Sequence, residues 1–99
     1  MVVCEFSLVP LGAGESISAQ VARCVKIVRE SGLPHLLTPM GTILEGEWDQ
    51  VFSVIKRCRD ELRREFNRVL ISIRVDDREA PPGRLQGKVR SVEEKLVRM

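Results

Sequence analysis

The chain has 99 residues, 43% of them hydrophobic and 30% charged, with a net charge of +2 at pH 7. That length predicts a single domain over residues 1–99, with a thin core, since such a chain buries somewhat over ~60% of its unfolded surface. Disorder is excluded by the composition, and the interspersed charges exclude the concentrated basic face that nucleic-acid binding requires.

Val2 to Val9 is an apolar run bounded by Pro10 and Gly12 and reads as a strand. Its alternation puts Cys4, Phe6 and Leu8 on one face and Val3, Glu5, Ser7 and Val9 on the other. Gly12 and Gly14 form a loop, and Ser16 is the expected N-cap of a helix. Ile17, Val21, Cys24, Val25 and Val28 then recur at helical spacing, and Ser31-Gly32 with Pro34 beyond ends the helix.

His35 to Thr38 and Thr42 to Glu47 read as the two strands of a hairpin, with Met40-Gly41 as the turn. Trp48, Val51, Phe52, Ile55, Leu62 and Phe66 mark a second amphipathic helix. Val69 to Val75 alternates again, with Val69, Ile71, Ile73 and Val75 on an all-aliphatic face. Asp76-Asp77-Arg78 is expected to end that strand in a charged turn. Ser91-Val92-Glu93-Glu94 fits a capping box for a short C-terminal helix.

The order is βαββαβ plus a terminal helix, which predicts an α+β, ferredoxin-like sandwich: a four-stranded antiparallel sheet with two helices on one face. The other face would display Glu5, Ser7, Ser72 and Arg74 beside Val3, Val9 and Leu70. A half-apolar face of that size predicts an interface, a ligand site or both.

Cys4, Cys24 and Cys58 are too widely spaced for a zinc site or a disulfide framework and read as small buried hydrophobes. The N-terminus lacks a basic n-region and no apolar stretch approaches the ~20 residues of a membrane span, so a soluble, cytoplasmic protein is expected. No cluster of His, Cys, Asp and Glu has metal-ligand spacing. His35 has no catalytic partner in view, and the Gly12 to Ser16 loop lacks a phosphate-loop lysine. An RNA-binding sheet would need aromatic residues on its open face, and the sole strand phenylalanine, Phe6, points inward.

Thr38-Pro39-Met40-Gly41-Thr42-Ile43-Leu44-Glu45-Gly46 is the segment richest in chemistry. Hydroxyls, a methionine and a carboxylate around a tight turn suit a flat, nitrogen-bearing heterocycle, and equally suit an edge hairpin whose polar groups face water.

Several stretches fall into one pattern: Val9-Pro10-Leu11-Gly12 before Ser16, Ser31-Gly32-Leu33, Met40 to Gly46, Arg68-Val69, Val75-Asp76-Asp77-Arg78, and Gly87-Lys88-Val89 before Ser91-Val92-Glu93. Together they resemble the thiamine-binding protein family of small standalone domains, related to the repeated domain of the YkoF protein. Leu44 stands where that pattern more often has isoleucine. The resemblance implies a ferredoxin-like fold, dimers or tetramers assembled through sheet faces, binding of thiamine or its hydroxymethylpyrimidine moiety, and no enzyme activity or cofactor. Carried onto this chain, it points to Thr42, Glu45 and Ser16 as ligand-binding residues, with Met40, Thr38 and Ser7 behind them. A regulatory or structural oligomerisation module without a small ligand is the alternative expectation. Regular alternation along the strand would put Thr42 and Glu45 on opposite faces, and a bulge near Gly41 would be needed to bring them together.

Overall fold

In a computed structural model describing residues 1–99, the elements are β1 (Val2–Pro10), α1 (Ser18–Glu30), β2 (His35–Thr38), β3 (Gly41–Gly46), α2 (Trp48–Arg63), β4 (Val69–Asp77) and α3 (Arg84–Arg98). The four strands form one antiparallel sheet in the order β2-β3-β1-β4. This is the ferredoxin-like α+β arrangement expected from the sequence.

Alternation decides which way the sheet faces. Val2, Cys4, Phe6 and Leu8 of β1 are buried against α1 and α2, where they meet Cys24, Val28, Val51, Val54, Ile55, Cys58 and Leu62. Each large apolar side chain buried this way contributes ~1.5–3 kcal/mol. All three cysteines are free and buried. Cys24 and Cys58 face each other where α1 packs on α2, the Cys58 thiol 3.6 Å from the Cys24 carbonyl oxygen. Leu44 adds the contribution of β3 to this core.

On β4 the helix-facing residues are Val69, Ile71, Ile73 and Val75, set opposite Pro10, Leu8, Phe6 and Cys4. β4 is an outer strand, and Ile71 and Ile73 keep 38% and 40% of their surface exposed. On the open face, Glu5 pairs with Arg74, Ser7 with Ser72 and Val9 with Leu70.

Helix ends differ from the local signals in three places. Ser16 does not cap α1; the helix starts at Ser18 after Ile17, and the Ser16 hydroxyl lies 3.3 Å from that of Ser18. α2 carries a capping box in which the Glu47 N–H donates to Gln50 Oε1 at 3.0 Å, and it ends at Arg63, leaving Phe66 beyond it. α3 starts at Arg84, seven residues before the Ser91 box, because its N-terminus is satisfied by a residue from another element.

Strand ends differ too. The hairpin turn is Pro39-Met40, one residue earlier than expected, with Gly41 already paired to Thr38. β4 runs on through Asp76 and Asp77, which pair with Val3 and Val2. Acidic residues are poor strand formers alone, but ladder bonds to a central strand outweigh that preference.

Candidate functional site

One cavity, of about 320 Å³, opens where α1, the second half of β1 and the β2–β3 hairpin meet. It exists because the hairpin is short. β1 pairs with β4 over residues 2 to 10 but with β3 only over residues 2 to 6. Past Phe6 the chain of the hairpin turns away through Pro39-Met40, and α1 roofs the gap with Ile17, Val21 and Val25. The lining is mainly apolar and carries no His, Asp, Glu, Lys or Arg.

Four of the six residues singled out in the sequence border it, Ser7, Thr38, Met40 and Thr42, but the alternation of β1 turns the Ser7 side chain to the open face, so only the strand backbone there is presented to the cavity. Thr42 is 7% exposed and faces the helix side, opposite Phe6. The Thr38 hydroxyl is engaged in the turn, donating to the Gly41 carbonyl oxygen at 2.8 Å and accepting from the Met40 N–H at 3.3 Å. Met40 stands exposed at the rim. Val21 and Val25 also line the cavity, although their helical spacing reads as ordinary core.

Ser16 and Glu45 stand outside it. The β3 ladder is regular, so Thr42 and Glu45 lie on opposite faces of the sheet, with Glu45 opposite Val3. Glu45 is 1% exposed. Its Oε1 accepts from the backbone N–H groups of Gly83 at 2.8 Å and Arg84 at 2.6 Å, the first amides of α3. A carboxylate there satisfies two free helix donors and meets the positive end of the helix dipole. Lys88, one turn further along α3, pairs with Asp76 of β4. Glu45 and Asp76 both sit beside Val3, so the start of α3 is pinned across one end of the open face.

The sequence matches the family profile described as thiamine-binding protein over residues 4–93. The chain belongs to the thiamine-binding protein family. Within curated sequences it is 38% identical to a UPF0045 protein of Synechocystis over 93% of this chain and 77% of that one. It is also 36% identical to a UPF0045 protein of Mycobacterium bovis over 98% of this chain and 96% of that one. The crystal structure of a Methanocaldococcus jannaschii protein superposes with a TM-score of 0.86 at 29% identity, covering 94% of this chain and 96% of that one.

Beyond the cavity, α3 has no buried residue. Val89, Val92 and Leu96, spaced for one side of the helix, are all exposed. No helix of the structure is long and apolar enough to cross a membrane.

Proposed function

We propose that this protein is a non-catalytic, cytoplasmic binder of thiamine or its hydroxymethylpyrimidine moiety, working as a homo-oligomer. The observation that carries this reading is the cavity beside Thr42 in a chain of the thiamine-binding family. Its volume is near the lower end of the ~300–1,000 Å³ of small-molecule sites, a size that suits one substituted ring. Apolar walls from Val21 and Val25, a methionine at the rim and the Thr42 hydroxyl suit a flat heterocycle with a few polar atoms. Thr38, Met40 and Thr42 supply side chains to the site and β1 supplies its backbone at Ser7; Ser16 and Glu45 act outside it.

The absence of His, Asp, Glu, Lys and Arg from the lining, whose one thiol, Cys24, is turned to the Cys58 carbonyl oxygen at 4.0 Å, supports binding rather than turnover, because proton transfer needs a free titratable group within hydrogen-bond reach. It also supports placing the thiazolium end of thiamine at the mouth, in water, since a cation without a counter-charge is costly to bury. Self-association is supported by two uncovered apolar surfaces: the α3 stripe of Val89, Val92 and Leu96, and the open sheet face bearing Leu70.

Isothermal titration calorimetry with thiamine and with free hydroxymethylpyrimidine tests this reading. Saturable binding is expected for both, abolished by Val21→Phe, which fills the cavity from α1. No heat from either ligand up to millimolar concentration would sink it.

A further inference from the structure

β1 bonds to β4 through its odd-numbered residues. The Leu11 N–H donates to the Arg68 carbonyl at 2.9 Å beyond one end of the ladder, and the Arg78 N–H to the Met1 carbonyl at 3.3 Å beyond the other. Since the peptide groups of successive strand residues face opposite sides, the even-numbered residues of β1 face β3. Gly41 shows the same parity: a Cβ placed on it would lie 2.8 Å from the Phe6 carbonyl oxygen.

β3 stops pairing at Phe6. Two residues on, Leu8 turns its N–H and C=O to the same side, where no strand follows. The hairpin gives it no hydrogen bond, and the Met40 N–H that could have reached back is given to Thr38. Leu8 is itself buried and lines the cavity. A buried peptide group left without partners is rare in folded proteins and carries a desolvation cost. Pro10, the next residue of this parity, has no N–H to offer. The donor and acceptor of Leu8 therefore form a single recognition pair on the cavity wall.

We propose that the unpaired Leu8 peptide group reads the acceptor–donor edge of a 4-aminopyrimidine, as one further residue of strand would. The ring nitrogen accepts from the Leu8 N–H and the adjacent exocyclic amine donates to the Leu8 C=O. Thr42, opposite Phe6, supplies a hydroxyl beside that edge, and Val21 and Val25 pack on the ring. Specificity then lies in the main chain and in the neutral ring. The thiazolium adds little, so the free pyrimidine binds within a few-fold of thiamine.

This rests on the reading that the cavity holds the ligand. The test is a ¹H–¹⁵N titration of the full chain with four probes: thiamine, 4-amino-5-hydroxymethyl-2-methylpyrimidine, its 4-oxo analogue and its 4-unsubstituted analogue. With the two amino compounds, the Leu8 amide is expected among the largest shifts and its hydrogen exchange slows on saturation. The 4-oxo compound, which reverses the donor and acceptor, and the 4-unsubstituted compound, which lacks the donor, are expected to bind at least tenfold more weakly. If thiamine perturbs Val21, Val25 and Thr42 but leaves Leu8 unmoved, or if all three pyrimidines bind equally, the Leu8 assignment falls while the cavity reading stands. If no probe perturbs the cavity residues, both fall.

Discussion

Replacing Glu45 separates a scaffold role from a ligand role. Its carboxylate accepts two backbone N–H bonds at the start of α3 and is almost wholly buried. Hydrogen bonds to a charged acceptor contribute ~1.5–3 kcal/mol each, and loss of an ordinary N-cap costs ~0.5–2 kcal/mol. The upper end is not reached, because α3 buries no side chain of its own and can undock instead of holding unsatisfied amides in place. Glu45→Ala is therefore expected to cost about 2 kcal/mol, a fall in Tm of about 8–16 °C for a domain of this size. Glu45→Gln keeps an acceptor but loses the charge, and is expected to cost about half as much. Thermal melts followed by circular dichroism at 222 nm, at fixed protomer concentration, read both effects. The Glu45→Ala signal should also drop before the main transition as α3 frays. Thiamine affinity at a temperature where the fold is intact should stay within two- to three-fold of the parent, since Thr42 and the cavity lie on the other face. A Glu45→Ala protein with unchanged melting and abolished thiamine binding would refute this account.

Other perturbations follow from the same geometry. Gly41→Ala places a Cβ 2.8 Å from the Phe6 carbonyl oxygen; a strand junction that must shift costs ~1–3 kcal/mol, read as a lower urea midpoint at constant slope. Burial, with the Glu5 charge beside it, pushes the Cys4 thiol up. Its contribution is full below the ~8.5 of an unfolded cysteine and is lost above it, at up to ~1.4 kcal/mol per pH unit. Urea midpoints should therefore fall from pH 8.5 to 10 and fall less steeply in Cys4→Ala; equal slopes in the two proteins would contradict this. Val92→Asp and Leu96→Asp put charges in the exposed stripe of α3, and sedimentation should show a smaller species than the parent, with the monomer fold retained.

The framework of the fold was legible because its signals are local. The alternation of Val2 to Val9, the helical spacing of Val21, Cys24 and Val28, and Gly32 at the end of α1 each depend on neighbours in sequence. What sequence alone misplaced depends on distant partners. α3 begins at Arg84 because Glu45, 38 residues away from Gly83, accepts from its first amides, and no pattern around Gly83 signals that. Asp76 and Asp77 read as a turn until β1 is laid beside them. The cavity was half legible. Thr38, Met40 and Thr42 stand in the segment richest in polar groups, whereas the Leu8 peptide group emerges only from the ladder register.

The outer position of β4 carries a hazard of its own. Val69-Leu70-Ile71-Ser72-Ile73 is an uncharged, β-favouring stretch with one edge unpaired and two half-exposed isoleucines. Such an edge is a template for runaway sheet growth. Arg68 and Arg74 bracket it and Asp76-Asp77 close it, charges placed as gatekeepers are placed around unavoidable apolar strands. Neutralising Arg68 and Arg74 together would leave the native fold its core while removing what keeps concentrated or partly unfolded chains from joining edge to edge into fibrils.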